Sequence, residues 1–378
     1  MKFLQTPIGP IDRIDLLTVR LPFLHPFAIS SYAWSCKEAL LLKVEAGGVT
    51  GWGECVADPD PFYAPETTAS CRYIIQTFLL PLLEPGMTLA DLSGQMHKVR
   101  GNEMAKATLE NAVIDLLAKQ QGKKLHEFLG LPARKIMSGI SLGLQETPDK
   151  LLEAVTEAVA KKYHRVKMKI KKGQDIEWVA AVRKRFPEIQ LMADANGDYT
   201  LADAARLREL DAFNLMMIEQ PLSYSDIYQH ALLQQQLATP LCLDESIHSL
   251  DDARTALELG ACRIINIKQG RVGGLIEALA MAELAARRSI PVWSGGMDET
   301  GIGRAVNIHL QTAPGFILPG DTSETSRYFH EDIADPPVVL DAQGGIDIPP
   351  GAGIGVEIPA GRLARYTIAQ ERLYEHKG

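Results

Sequence analysis

Five charged side chains recur at nearly equal intervals through the middle of the chain. They are 25, 25, 25 and 24 residues apart, each at the end of a short, mostly apolar run: Lys169, Asp194, Glu219, Asp244 and Lys268. Three carboxylates brought together repel one another and raise their own pKa values unless a cation neutralises them. Carboxylate oxygens suit hard divalent ions, and no His or Cys cluster accompanies them. We therefore predict a site for Mg²⁺, or for another hard divalent cation such as Mn²⁺, rather than for zinc.

The two lysines flank this carboxylate triad along the chain. Lys169 and Lys268 should therefore lie on opposite sides of a bound ligand, as an acid/base pair. A partly desolvated lysine beside a divalent metal and another cation has a lowered pKa and can abstract a proton. The metal would stabilise the enediolate that forms when a carboxylate substrate loses its α-proton. A single charge at a strand end is often only a helix cap, but five at this spacing favour a functional site.

Alternating strands and helices are predicted to position these side chains. From Ile136 onward, amphipathic helical stretches alternate with short apolar runs, namely VKMKI, IQLMADAN, NLMMIEQP, PLCLDES, RIINIKQG, IPVWSGG and GFILPGD. Such runs are typical of buried parallel strands, because helices cover both of their faces. Seven or eight strand and helix units close most economically into a barrel. The C-terminal ends of barrel strands open onto one face, so the five charges should converge there.

The first 130 residues have a pattern typical of an α+β domain. IDRIDLLTVRLP and EALLLKVEAGGVTGWGE alternate like antiparallel strands, with Gly47 and Gly48 as a hairpin turn, and helical segments follow. The end of the chain lacks the barrel rhythm and is expected to pack back on the first domain. We predict an α+β domain at 1–130, a barrel at 131–325 and a C-terminal segment at 326–378.

Composition narrows the range of partners and locations. Lys and Arg total 39 against 47 Asp and Glu, which gives a formal charge of −8 without a basic arm. Nucleic acid and anionic membrane surfaces are therefore poor partners. Five cysteines without CxxC spacing do not predict a disulfide framework, and no export signal or apolar stretch of transmembrane length is visible. We expect a cytoplasmic enzyme that acts on a small molecule.

Several motifs occur in an order that resembles a known family. VKMKIK, DAN, EQP, LDES and IKQGRVGG, spread over nearly the whole chain, resemble the enolase superfamily, in its muconate-lactonising subgroup. GNEMAKATLENAVIDL, SGISLG, VWSGGMDETGIGRAVN and LPGDTSET are similar to the subfamily of o-succinylbenzoate synthases and N-succinylamino acid racemases, also called N-acylamino acid racemases. The resemblance implies an α/β fold, a modified TIM barrel of (β/α)7β form. An N-terminal α+β capping domain, completed by the C-terminal segment, would cover it, and homo-oligomers are common for this architecture.

The resemblance also implies roles for individual residues. Lys169 is similar to the base that removes the α-proton, and Lys268 to the opposing lysine, which is a second acid/base or a cationic platform. The carboxylates of the triad match the metal ligands: Asp194, Glu219 and Asp244. The remaining matched positions contact the substrate carboxylate, the ligand shell or the succinyl end of the substrate: Ser141, Lys167, Asn196, Gly295, Gly296 and Met297. Aromatic residues of the first domain would cover the barrel mouth: Phe23, Phe27, Tyr32 and Tyr63.

Two further residues stand beside the predicted site. Glu245 directly follows a ligand and is expected to support the metal site, with Lys268 as a candidate partner. Arg271 either lowers the pKa of Lys268 or forms a salt bridge with a carboxylate, and the sequence favours neither. Glu299, which comes after the seventh strand, either pairs with Lys268 or caps a helix.

The resemblance implies two reactions through one enediolate. The favoured activity is o-succinylbenzoate synthase, a Mg²⁺-dependent dehydratase of menaquinone biosynthesis, in which Lys169 suffices as acid and base. The alternative is racemisation of N-succinylamino acids, in which Lys169 and Lys268 each serve one enantiomer. Both activities in one site are compatible with the sequence. A non-catalytic, metal-stabilised scaffold is the hypothesis from another class, and the intact lysine pair argues against it.

Overall fold

The computed structural model describes residues 1–28 and 33–376 of the chain. Its strands are β1 (Arg13–Ala28), β2 (Ala33–Ala46), β3 (Val49–Cys55), β4 (Ile136–Met137), β5 (Gly139–Leu142), β6 (Arg165–Lys169), β7 (Leu191–Asp194), β8 (Ile218–Glu219), β9 (Leu241–Leu243), β10 (Ile264–Asn266), β11 (Val292–Trp293), β12 (Gly345–Ile346) and β13 (Thr367–Glu375). Its α-helices are α1 (Thr68–Ile74), α2 (Leu89–Met96), α3 (Glu103–Gln120), α4 (Leu125–Leu129), α5 (Pro148–Ala160), α6 (Ile176–Arg185), α7 (Ala204–Glu209), α8 (Tyr228–Gln234), α9 (Leu250–Leu259), α10 (Leu275–Arg287), α11 (Gly301–Leu310) and α12 (Ala360–Tyr366).

An antiparallel sheet forms the core of the N-terminal cap, in the order β13-β1-β2-β3. Gly47 and Gly48 join β2 to β3 with positive φ angles of 58° and 76°, so the predicted hairpin turn is confirmed. Helix α3 lies against β3 and is almost wholly buried. Gly53 permits this close packing, because a Cβ there would stand only 2.0 Å from the carbonyl oxygen of Thr108.

A parallel sheet forms the barrel, in the order β11-β10-β9-β8-β7-β6-β5. Helices α5 to α11 each follow one of these strands along the chain. The last of the predicted apolar runs, GFILPGD, makes only isolated parallel bridges: Phe316 pairs with Val292 of β11, and Gly320 pairs with Ser138 just before β5. This segment therefore contacts both edges of the sheet and closes the barrel, which confirms the expected (β/α)7β form.

The C-terminal segment contacts both parts of the molecule. Strand β12 pairs with β4, whereas β13 pairs with β1 and completes the cap sheet as predicted. The domain boundaries at 130 and 325 stay predictions. Within the described ranges, no helix combines the length and apolar character needed to cross a bilayer.

Candidate active site

The five charged residues of the sequence pattern meet at one end of the barrel. Lys169, Asp194 and Glu219 are the last residues of β6, β7 and β8, and the sheet register pairs Lys169 with Asp194 and Asp194 with Glu219. Asp244 directly follows β9, and Lys268 lies two residues after β10. All five are at least nine-tenths buried. Because β6 and β10 lie on either side of β7, β8 and β9, the two lysines flank the carboxylates in space as well as in sequence.

On the β6 side, two lysines of the KxK motif contact the carboxylates. Lys169 Nζ lies 2.6 Å from Asp194 Oδ2 and 2.7 Å from Asn196 Oδ1. Lys167 Nζ lies 3.1 Å from Glu219 Oε2, 3.3 Å from Asp194 Oδ2 and 2.7 Å from Asp321 Oδ2. Lys167 is therefore held among three anions, one of which the sequence analysis did not single out.

On the β10 side, Lys268 and Arg271 share one carboxylate. Lys268 Nζ lies 2.8 Å from Asp244 Oδ2, and the Arg271 guanidinium forms a salt bridge with Asp244 Oδ1. Lys268 Nζ also donates to the hydroxyl of Tyr63, at 2.6 Å. Burial lowers the pKa of Lys268, but the carboxylates of Asp244 and Glu245 together with the Tyr63 hydroxyl more than offset this effect, so the pKa lies above its ordinary value. The lowered pKa expected for a lysine beside a bound metal stays a prediction.

Two of the three carboxylates, Glu219 and Asp244, have pKa values shifted in opposite directions. Burial and the neighbouring Asp194 carboxylate raise the pKa of Glu219 well above its ordinary value. Asp244 has the reverse shift: burial opposes ionisation, but Arg271 and Lys268 hold its pKa far below the usual range.

The donor chemistry of this triad fits a hard divalent cation, since three buried carboxylates lie on adjacent strand ends. Their oxygens contact lysine and arginine groups, however, and across residues 1–28 and 33–376 no set of three His, Cys, Asp or Glu side chains is arranged to hold a metal ion. The fit to a cation therefore rests on the donor chemistry of these three side chains.

A cavity opens beside the lysines, between the barrel and the cap. Seven of the eight sequence-predicted catalytic and substrate residues line it: Ser141, Lys167, Lys169, Asn196, Lys268, Gly296 and Met297. The eighth is Gly295, whose N–H donates to Asn266 Oδ1 at 2.7 Å. A Cβ at Gly295 would lie 2.6 Å from Lys268 Cε, so glycine allows the loop to approach the lysine.

The predicted aromatic cover is described in part. Phe23 and Tyr63 line the cavity, and the Phe23 ring stacks on Phe329 at 5.6 Å between centroids. Phe27 pairs with Trp34 through its backbone in the β1–β2 ladder. Tyr32 lies outside the described residues.

Three residues whose partners the sequence left open now have defined contacts: Glu245, Arg271 and Glu299. Glu245 accepts from Asn196 Nδ2 at 2.7 Å, and burial raises its pKa to about 7. Asn196 thus links Glu245 to Lys169. Arg271 forms a salt bridge, as one of its two hypotheses proposed. Glu299 accepts from the Met297 N–H at 3.0 Å and from Asn307 Nδ2 at 2.9 Å, so it stabilises the turn before α11.

Three residues that contact the site were not predicted from the sequence. Asn266 donates to Glu219 Oε1 at 2.7 Å from inside the barrel. Asp321 pairs with Lys167 and, at 2.7 Å, with Arg165. Lys37, on the cap strand β2, donates to the carbonyl oxygen of Met297 at 2.9 Å. Asn266 and Asp321 each stood in a quoted apolar run next to a predicted strand end, which is a signal that would have found them, whereas Lys37 stood in none.

Comparison with known proteins agrees with this geometry. Residues 13–130 match the N-terminal domain of the mandelate racemase / muconate lactonizing enzyme family, and residues 150–361 match the enolase C-terminal domain-like family. The o-succinylbenzoate synthase of Geobacillus kaustophilus is 48% identical over 360 residues, which cover 94% of this chain and 96% of that protein. The N-succinylamino acid racemase of Thermus thermophilus is 43% identical over 364 residues, with coverage of 95% and 98%.

A solved structure supports the same conclusion. An enolase superfamily member from Listeria innocua superposes with a TM-score of 0.92 at 42% identity, covering 96% of this chain and 98% of that chain. The resemblance inferred from the motifs is thereby confirmed, and the chain belongs to the enolase superfamily, within the mandelate racemase and muconate lactonizing enzyme family.

Proposed function

We propose that this protein is an o-succinylbenzoate synthase, a dehydratase that forms o-succinylbenzoate from its cyclohexadiene precursor on the route to menaquinone. The observation that carries the proposal is the pair of buried lysines, Lys169 and Lys268, on either side of three carboxylates at the mouth of a closed barrel. Relatives at 42–48% identity that span nearly the whole chain carry this name. A metal-stabilised scaffold would have no need of two buried lysines facing a cavity.

The residues of the β6 side supply the steps of dehydration. Lys167 binds the substrate carboxylate as a cation in the cavity wall. Lys169, in its neutral form, removes the proton from the carbon beside that carboxylate, and the C–H electron pair stays with the substrate. The resulting Lys169 ammonium returns the proton to the departing hydroxyl, which leaves as water. Lys268 needs only to stabilise the negative charge that develops.

Enzymes of this superfamily depend on a divalent metal ion in general. We propose Mg²⁺, with Asp194, Glu219 and Asp244 as its ligands, because an all-oxygen donor set favours a hard cation. When bound, such a cation stabilises negative charge on the substrate carboxylate during proton removal. Asn266 and Asn196 would orient two of these ligands, because Asn266 donates to Glu219 and the Asn196 backbone N–H donates to Asp194.

Racemisation of N-succinylamino acids is the second candidate. A relative that is 43% identical bears the name N-succinylamino acid racemase. The position of Lys268 opposite Lys169 favours this activity specifically, because inversion requires one base on each face of the substrate. Both reactions share the first proton transfer, so one site is able to perform both.

A single assay series tests the two candidates. Purified protein with Mg²⁺ is given the cyclohexadiene precursor in one arm and N-succinyl amino acids in D₂O in the other. Lys169→Ala should lower dehydration about 10²–10⁴-fold, because it removes the general base. Lys268→Ala should abolish racemisation while leaving α-proton exchange through Lys169.

Each outcome of the series is decisive. Wild-type protein that neither dehydrates the precursor nor exchanges an α-proton refutes both candidates and favours the scaffold. Racemisation that survives Lys268→Ala refutes the two-base assignment. Cytoplasmic location and homo-oligomeric assembly are part of the proposal and are tested by cell fractionation and by analytical ultracentrifugation.

A further inference from the structure

The two lysines have different kinds of partners. Lys169 Nζ contacts Asp194 and Asn196, both of which belong to the barrel. Lys268 Nζ contacts Asp244 of the barrel and the hydroxyl of Tyr63, which belongs to the cap. The Tyr63 hydroxyl accepts from Lys268 at 2.6 Å and lies 3.4 Å from Asp244 Oδ2. Among the described residues, the hydrogen-bond partners of Lys268 therefore include one from the cap, whereas those of Lys169 belong to the barrel.

The cap loop that carries Tyr63 is fixed at both ends. It connects β3 to α1, and near its start the carbonyl oxygen of Asp58 accepts from the Thr68 N–H at 2.9 Å. Near its end, the Glu66 carboxylate accepts from the Met104 N–H at the start of α3, at 3.1 Å. Tyr63 lies between these two anchors. The backbone around Tyr63 is thus held by hydrogen bonds within the cap.

Tyr63 also forms a wall of the reaction cavity. It lines the cavity that contains Lys169 and Lys268, and with Asn196 it lines a second groove bordered by Tyr224 and Glu245. The phenol ring therefore separates the reaction cavity from this groove. Removing only its oxygen would leave that wall in place.

We propose that Tyr63 is a positioning residue for Lys268. It thereby selectively affects proton transfer on the face of the substrate that Lys268 serves. This inference rests on the proposed α-proton chemistry. By accepting a hydrogen bond, the hydroxyl holds the Lys268 amine at the cavity wall, where it accepts the α-proton of one enantiomer or, as an ammonium, protonates the other face. Lys169 reaches its face without Tyr63. Racemisation should therefore depend on this hydroxyl more strongly than dehydration does, because in dehydration Lys268 only stabilises negative charge.

The test is Tyr63→Phe, which deletes the oxygen and keeps the ring. Single-lysine backgrounds first identify the enantiomer that each lysine serves: Lys268→Ala leaves Lys169, and Lys169→Ala leaves Lys268. Exchange of the α-proton in D₂O is then followed by NMR for N-succinyl-L-phenylalanine and N-succinyl-D-phenylalanine. Tyr63→Phe should slow exchange on the Lys268 face by about tenfold and exchange on the Lys169 face by less than about twofold.

Tyr199→Phe is the matched control. Its hydroxyl donates to Asp175 Oδ2 at 2.7 Å in a buried contact that involves neither lysine. Deleting this oxygen should change both faces equally. The ratio of the two exchange rates is measured on one preparation, so it does not depend on the fraction of protein that is folded.

The possible results separate the two proposals. A ratio that falls in Tyr63→Phe and not in Tyr199→Phe supports the positioning role. An unchanged ratio overturns it, even where both rates drop, because a purely structural role affects both faces. If wild-type protein exchanges neither enantiomer and does not dehydrate the precursor, the proposed function itself is refuted and this inference falls with it.

Discussion

Asp321 contacts Lys167 from the segment that follows α11. Its two oxygens contact Lys167 Nζ and an Arg165 nitrogen, each at 2.7 Å, and all three side chains are buried. Although burial alone would raise it, Arg165 and Lys167 hold the pKa of Asp321 well below its usual range. Asp321 is thus the ionised counterion that keeps Lys167 charged and in place for the substrate carboxylate.

Replacing Asp321 by Asn should weaken substrate binding and the fold together. The variant leaves two buried cations with one anion fewer, so the free energy of unfolding should fall by about 3 kcal/mol. KM should rise roughly tenfold, with a smaller effect on kcat, because Lys169 is untouched. Urea denaturation and steady-state kinetics measure the two effects.

Asp347→Asn is the matched control for Asp321→Asn. Asp347 pairs with Lys135 at the surface at 3.2 Å, with its side chain 77% exposed, so its loss should cost less than about 0.5 kcal/mol. Equal stability of the Asp321→Asn variant and wild type would contradict the role of Asp321 as a buried counterion.

At the scale of single residues, the sequence predicts charged positions better than their partners. Asp194 and Glu219 were identifiable because each polar side chain interrupts an apolar run where a barrel strand ends. The contact between Tyr63 and Lys268 was not predictable. It joins residues 205 positions apart, and nothing in the local pattern of PFYAPE distinguishes a phenol that binds a lysine from one that packs against apolar surface.

At the scale of elements, cap strands hold the loop between β11 and α11. Lys37 of β2 donates to the carbonyl oxygen of Met297 at 2.9 Å and pairs with Asp58 at 3.3 Å. Glu54 of β3 accepts from the backbone N–H of Thr300 and of Gly303, both at 2.9 Å, and so caps α11. This loop lines the cavity beside Lys268, so the cap contributes to the shape of the cavity.

Replacing Lys37 by Met should therefore raise KM more than it lowers kcat. The loop would lose a buried hydrogen bond at Met297, a position proposed to contact the succinyl end of the substrate, and we expect a rise in KM of roughly tenfold. Lys43→Met on the same strand is the control, because Lys43 pairs with Glu45 near the surface. A Lys37→Met variant whose KM matches that of Lys43→Met would refute the role of this contact.

The elements themselves were predictable to different degrees. The alternation of apolar strands with amphipathic helices predicted the barrel, since parallel strands covered by helices must be apolar throughout. The eighth strand was expected as a full strand, yet residues 316–320 make only isolated bridges. Pro319 contributes to this difference, because proline has no N–H with which to continue a ladder.

At the scale of the whole molecule, buried neutral histidines link stability to pH. His126 of α4 and His309 of α11 stack with their ring centroids 5.4 Å apart, which joins the N-terminal region to the barrel, and His230 is fully buried in α8. Burial lowers the pKa of all three, to about 3 for His309 and about 4 for His230. Unfolding exposes these rings to water, where they bind protons more readily.

His230 provides the clearest test of this linkage. Its Nδ1 lies 2.7 Å from the carbonyl oxygen of Asp226, so Nδ1 carries the hydrogen, and its Nε2 accepts from the Leu222 N–H at 3.1 Å. A proton added to Nε2 would point at the Leu222 N–H and would replace this hydrogen bond by a contact between two donors. Between pH 6.5 and about 4 the unfolded chain therefore binds a proton at this residue that the folded protein excludes. The contribution of His230 to stability is complete above pH 6.5 and is lost as the pH falls through this window.

The expected loss from His230 alone is about 3 kcal/mol, since a shift of one pKa unit corresponds to about 1.4 kcal/mol. His230→Gln cannot be protonated, so its free energy of unfolding should fall less steeply than that of wild type between pH 7 and pH 4. Measuring both proteins by urea denaturation and subtracting the curves removes the contribution of every carboxylate that titrates in the same range. Parallel curves would contradict this prediction, because they would mean that the folded protein protonates His230 as readily as the unfolded chain does.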